Sequence, residues 1–256
     1  MNERELRAMT AQMNDMHEET FPRLRESLGD FGSGLRRRMR EDGGASRRAF
    51  LLGGGTLVGA VALAACGGGK DSSPGASTSP TGGSASPSAG GDLSALATNA
   101  SLENLAVFAY GAALMDAPKG KFGPKVPAAV AEFAKHAKEQ HQAHADAFNA
   151  ALKNAGGQPY TKPDPALAGT VTEAYGKITD LAGLATLALS LENTAAATYT
   201  KQMGELTSAE GIAAVATIAP VERQHAAVLS YILGEYPVPD TFVPLTDARP
   251  SSDAGV

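Results

Sequence analysis

The sequence predicts an all-α fold, a four-helix bundle built from two related helical hairpins. Three observations support this. From Asp92 onward apolar residues recur at helical spacing, and no stretch keeps the two-residue alternation of a strand. Four segments of about 25 residues are joined by short-to-medium loops, which suits a bundle. Finally, Ser-Leu-Glu-Asn occurs twice, at Ser101–Asn104 and Ser190–Asn193, each time with a tyrosine seven residues after its glutamate: Glu103 with Tyr110, and Glu192 with Tyr199.

Before the bundle the composition changes in steps. Residues 1–45 are polar and are read as an N-terminal extension or a mis-assigned start, Met39 opening a more ordinary leader. Residues 46–66 read as a signal peptide. The run Ser46-Arg47-Arg48-Ala49-Phe50-Leu51-Leu52 resembles a twin-arginine translocation signal, with Arg47 and Arg48 as its paired arginines. The apolar stretch from Ala49 to Ala65 is short for a spanning helix, which needs about 20 apolar residues. It ends in Leu63-Ala64-Ala65-Cys66, which resembles a bacterial lipobox with Cys66 as the lipidated residue. Residues 67–91 are a Gly/Ser/Pro linker with a root-mean-square reach of roughly 25–30 Å. The expectation is a domain lipid-anchored through Cys66 on the extracytoplasmic face of the cytoplasmic membrane, exported by the twin-arginine machinery.

The folded domain is expected over 92–236. Segment A (92–117) opens with Asp92 as N-cap and stops before Pro118. Segment B (127–154) has Pro127 in its first turn and closes at Gly156-Gly157. Segment C (166–205) is long, with Gly169, Gly176 and Gly183 as candidate breaks. Segment D (208–234) begins with Thr207 and Glu210 spaced as a capping box and ends at Gly234. Residues 237–256 read as a Pro-rich tail laid over the surface. A aligns with C at an offset of 89, and B with D at 81, so a duplicated hairpin is expected.

Helical faces locate the chemistry. Glu103 shares a stripe with Leu96, Ala100, Val107 and Tyr110; Glu192 shares one with Ala185, Leu189, Ala196 and Tyr199. His141 and His144 lie with Ala137 and Phe148, and Glu222 and His225 with Ile218 and Leu229. An isolated carboxylate in a dry core costs several kcal/mol. Three glutamates and three histidines pointing there therefore call for one or two divalent metal ions. Spacing of three residues sets His141 with His144, and Glu222 with His225, one turn apart on one face.

In this arrangement the sequence resembles the ferritin-like superfamily. Its di-metal members use one Glu from each of two helices and Glu-x-x-His from each of the other two. The resemblance implies Glu103 and Glu192 as the single glutamates, Glu222 and His225 as one Glu-x-x-His, and His144 as the histidine of the other. His141 stands where that pattern wants a second bridging glutamate. Imidazole has no second oxygen to span two ions, so one ion or an asymmetric pair is expected. Fe is the first expectation, with Mn or Zn as alternatives. Tyr110 and Tyr199 are expected to be packing residues that hydrogen-bond the glutamates; His136 is expected at the surface.

From Asp92 the chain carries 17 acidic and 11 basic side chains, which excludes a basic nucleic-acid surface. Cys66 is the only cysteine, so no intrachain disulfide forms. The expected role is metal binding, or metal and oxidative homeostasis in the envelope. A di-metal oxidase or peroxide-consuming enzyme is one alternative; a metal-free structural or interaction module is another. A homodimer is left open, while a tether disfavours a closed storage shell.

Overall fold

The computed structural model describes residues 2–53 and 89–251, with side chains omitted for 42–53. Six α-helices appear among the described residues: α1 (Glu3–Gly53), α2 (Ala89–Asp116), α3 (Ala128–Ala155), α4 (Ala168–Lys177), α5 (Leu181–Gln202) and α6 (Ala209–Leu233). No strand occurs among them. Helices α2 with α3, and α5 with α6, form the two expected hairpins, and α2 meets α5 across the bundle.

Several boundaries differ from the sequence expectation. Helix α2 starts at Ala89, so Asp92 is not its N-cap. Asp92 is instead buried, receiving Arg38 at 2.8 Å and the backbone N–H of Thr207 at 3.2 Å. Pro127 is the N-cap of α3 rather than a first-turn residue, and Gly156 closes that helix at φ +90°. Segment C divides at 178–180, at no glycine: Asp180 caps α5 by accepting the Gly183 N–H at 2.7 Å. Ser208, not Thr207, caps α6 by accepting the Gly211 N–H at 3.0 Å. The tail returns to the bundle, where the Arg249 N–H donates to Thr198 and Thr98 donates to the Ser251 carbonyl.

The N-terminal segment is the largest difference. Read as a polar extension or a mis-assigned start, it forms a fifth long helix packed on α3 and α6. The reason is a stripe that the surrounding charges mask. Leu6, Met13, Leu24, Leu28, Phe31 and Leu35 follow one another at intervals of 7, 11, 4, 3 and 4 residues, which keeps them on one helical face, and all are buried. Two glycines set the close approach. A Cβ on Gly32 would lie 2.3 Å from the carbonyl oxygen of Ala151 in α3. One on Gly211 of α6 would lie 2.9 Å from the Phe31 ring. Outside the stripe, Arg7 pairs with Glu132.

The residues of the export signal and anchor lie largely beyond this description. Arg47 and Arg48 are on helix backbone whose side chains are not described; Cys66 and residues 54–88 lie outside the described residues. Among the described residues no helix is long and apolar enough to cross a membrane.

Candidate metal centre

Helices α2, α3, α5 and α6 turn their candidate donors inward because the rest of the same face is apolar. Phe148 and Leu152 of α3 and Val215 and Ile218 of α6 close one end of the core; Phe133 and Leu229 lie towards the other. Between them the structure gathers all six predicted residues, Glu103, His141, His144, Glu192, Glu222 and His225, each at most 1% exposed.

The cluster has two halves. His144 Nδ1 lies 3.5 Å from Glu103 Oε2 and 3.5 Å from Glu222 Oε1. His225 Nδ1 lies 3.3 Å from Glu192 Oε2 and 3.4 Å from Glu222 Oε2. Glu222 thus turns one oxygen towards each histidine. His141 spans the halves, with Nδ1 2.7 Å from Glu103 Oε2 and Nε2 3.2 Å from Glu192 Oε1. His141 and Glu222 belong to both sets of donor atoms close enough to share one ion.

The tyrosines cross over. Tyr110 donates to Glu192 Oε1 at 2.5 Å, and Tyr199 donates to Glu103 Oε1. Neither binds the glutamate of its own repeat, because seven residues of helix separate the two by about 10 Å along the axis. The outer nitrogens are held as well. His225 Nε2 lies 2.8 Å from Gln140 Oε1, and His144 Nε2 lies 3.1 Å from His17 Nε2 on α1. Sequence reading missed both partners. Gln140 lies one turn before His144 and is buried; His17 sits within the α1 stripe, four residues after Met13. His136 is half-buried beside Glu139, outside the cluster.

The electrostatics follow from burial opposed by pairing. Burial pushes the Glu103 carboxyl up, but His144 and His141 outweigh it and hold it at about 2. Glu192 is likewise held well below the usual range, its burial outweighed by His141 and His225. Burial pushes the histidines down, yet the carboxylates raise them: His225 to about 9 through Glu192 first, and His141 well above its ordinary value through Glu192 and Glu222. Burial and the charge on His144 together depress His17 to about 3, so it is neutral at pH 7. Burial and the neighbouring carboxylates push both tyrosine hydroxyls well above 10, which keeps them as donors.

These residues fit a divalent ion. An ion about 2.1 Å from each N or O donor sets neighbouring donors roughly 3.0–3.4 Å apart, close to the spacing around His144 and His225. His144 Nδ1 and both Glu222 oxygens are buried without a hydrogen-bond partner. Unpaired buried acceptors are costly, and a cation between them removes that cost.

A bundle with carboxylates and histidines turned inward from four of its helices is the architecture of a ferritin-like domain. The family model for that domain matches residues 91–235, and the chain belongs to this family. No curated protein and no solved structure matches the chain significantly.

Proposed function

We propose that this chain is an exported, lipid-anchored protein whose bundle core holds divalent metal, with a role in metal binding or in metal and oxidative homeostasis of the envelope. The observation that carries this reading is Glu222, a fully buried acid with neither oxygen hydrogen-bonded and a histidine Nδ1 facing each. Glu103, His144 and Glu222 would hold one ion; Glu192, Glu222 and His225 would hold the other. Bound metal supplies a Lewis acid and, for Fe or Mn, a one-electron couple. Fe is the first choice; Zn or Mn suits the same donors.

His141 makes the set asymmetric. With three carboxylates and neutral histidines, one divalent ion leaves a net charge of minus one, and two leave plus one. A glutamate at 141 would bring the two-ion state to zero. The absence of a second bridging carboxylate at 141 favours holding metal over oxygen chemistry. The remaining complete ligand set supports the alternative of an oxidase or peroxide-consuming enzyme.

Export rests on Arg47-Arg48, the apolar run and Leu63-Ala64-Ala65-Cys66. In systems that this signal resembles, proteins cross the membrane folded, so the centre would be loaded first. The buried stripe of α1 favours a translated extension over a mis-assigned start.

Metal analysis of the full chain purified without chelator tests the centre. We expect bound metal in wild type and its loss in Glu192→Ala. A wild type that stays metal-free after reconstitution with Fe, Mn and Zn sinks the reading and leaves a metal-free module. Aerobic Fe(II) oxidation by wild type and His141→Glu separates holding from catalysis: slow in wild type and faster in the variant under the favoured reading.

A further inference from the structure

We infer that His17, on the N-terminal helix, is a positioning residue for the metal centre: it accepts the Nε2–H of His144 and so aims the Nδ1 lone pair of His144 at the carboxylates. The inference rests on the metal reading above and adds a part to it from outside the four helices that supply the donors.

The geometry leaves His144 little choice. Its Nδ1 faces Glu103 and Glu222 at 3.5 Å, without a hydrogen bond, and its Nε2 faces His17 Nε2 at 3.1 Å. A neutral imidazole carries one proton. Placed on Nε2, that proton reaches His17, and Nδ1 is free to ligate; placed on Nδ1, it points into the donor set and blocks an ion. His225 is arranged similarly, its Nδ1 towards the carboxylates, though within hydrogen-bond reach of Glu192 Oε2 at 3.3 Å, and its Nε2 2.8 Å from the Gln140 amide oxygen. Both end histidines are therefore Nδ1 donors backed by a neutral acceptor. One acceptor comes from α3 and the other from α1. A group that orients a ligating histidine through its second nitrogen typically changes metal affinity 10–100-fold.

His17 is held for this task. It is 8% exposed, stacks on Phe21 with ring centroids 5.0 Å apart, and sits on the face that α1 presses against the bundle. Asn14, one turn earlier, reaches towards Gln140 at 3.5 Å, so α1 backs both outer partners. Cleavage before Cys66, on the export reading, would take His17 away and make metal retention differ between the precursor and the processed protein.

The test uses the full chain with His17→Leu, His17→Gln and, as a control that loosens α1 far from the centre, Leu35→Ala. Co(II) titration is followed by visible absorption, and histidine tautomers of the metal-free protein by 15N NMR at a pH high enough for His144 to have lost its second proton. We expect His17→Leu to weaken the Co(II) step that His144→Ala abolishes by 10–100-fold, leaving the other step unchanged. His17→Gln, whose amide oxygen can accept the same N–H, should stay within a few-fold of wild type. Leu35→Ala should lower the melting temperature without changing Co(II) affinity. Equal affinity in His17→Leu and wild type, or equal weakening in His17→Gln and His17→Leu, overturns the positioning role. A wild type that takes up no Co(II) overturns the metal reading instead. The NMR arm then decides the contact alone: Nε2–H on His144 in wild type, lost in His17→Leu, supports it, and an unchanged tautomer refutes it.

Discussion

Replacing Gly32 by alanine tests whether α1 is packed on the bundle, because the sign of the effect depends on it. Inside an unpacked helix, alanine in place of glycine stabilises by about 1 kcal/mol through backbone entropy. In the docked helix the new Cβ would sit 2.3 Å from the carbonyl oxygen of Ala151 and 3.0 Å from its Cα. Both are backbone atoms of α3, so no side-chain rotation relieves the overlap and the helices must part. Overpacking of this kind costs about 1–3 kcal/mol; after the helix gain, a net loss of up to about 2 kcal/mol remains. For a domain of this size each kcal/mol moves Tm by roughly 2–4 °C, so a fall of up to about 8 °C is expected. Gly29, one turn earlier, has nothing within 4 Å of an added Cβ. Gly29→Ala should therefore raise Tm. Thermal melts of the full chain, followed by circular dichroism, compare the two. If Gly32→Ala raises Tm as Gly29→Ala does, α1 does not pack as described.

The tyrosine contacts predict unequal losses. Among the described residues Tyr199 is the only hydrogen-bond donor to Glu103 Oε1, whereas Glu192 Oε1 has both Tyr110 and His141. Tyr199→Phe should cost about 1–3 kcal/mol of unfolding free energy, and Tyr110→Phe clearly less, as measured by urea titration. The pH dependence of the metal-free protein follows from His225 and Glu103. His225 is raised to about 9, so its stabilisation, on the order of 3 kcal/mol, is complete below pH 6.5 and lost as pH rises through 9. Glu103 is depressed to about 2, so its share is present above pH 4.5 and lost as pH falls through 2. Metal must displace the His225 proton, so affinity should climb with pH up to about 9 and then level, with protons released on binding below that pH; calorimetry in buffers of different ionisation enthalpy measures the release.

Much of the centre was legible because a helix face is a local property. Glu103, His141, His144, Glu192, Glu222 and His225 each sit in an apolar stripe of their own helix, and burying those stripes brings the six together. The repeat marked the two hairpins, but the polar residues of its two copies do different work. Ser101 and Asn104 bind Asp164 and the Tyr160 carbonyl of the α3–α4 loop, while Asn193 accepts from Arg223. Gln140 carried no signal, since a lone amide on an apolar face looks like any half-buried polar residue. The stripe of α1 was present in the sequence, yet arginines and acids on every other face made the segment read as a solvated tail.

By itself the sequence determined the helices, their inward faces and the six ionisable residues, because a 3.6-residue period is written in neighbours along the chain. Tertiary structure alone decided which groups meet: each tyrosine with the other repeat's glutamate, both Glu222 oxygens between two histidines, and His17 behind His144. Such pairings join residues up to 127 positions apart. They follow from which helix lies opposite which, and that depends on close approaches such as Gly32 against Ala151 that no single helix records.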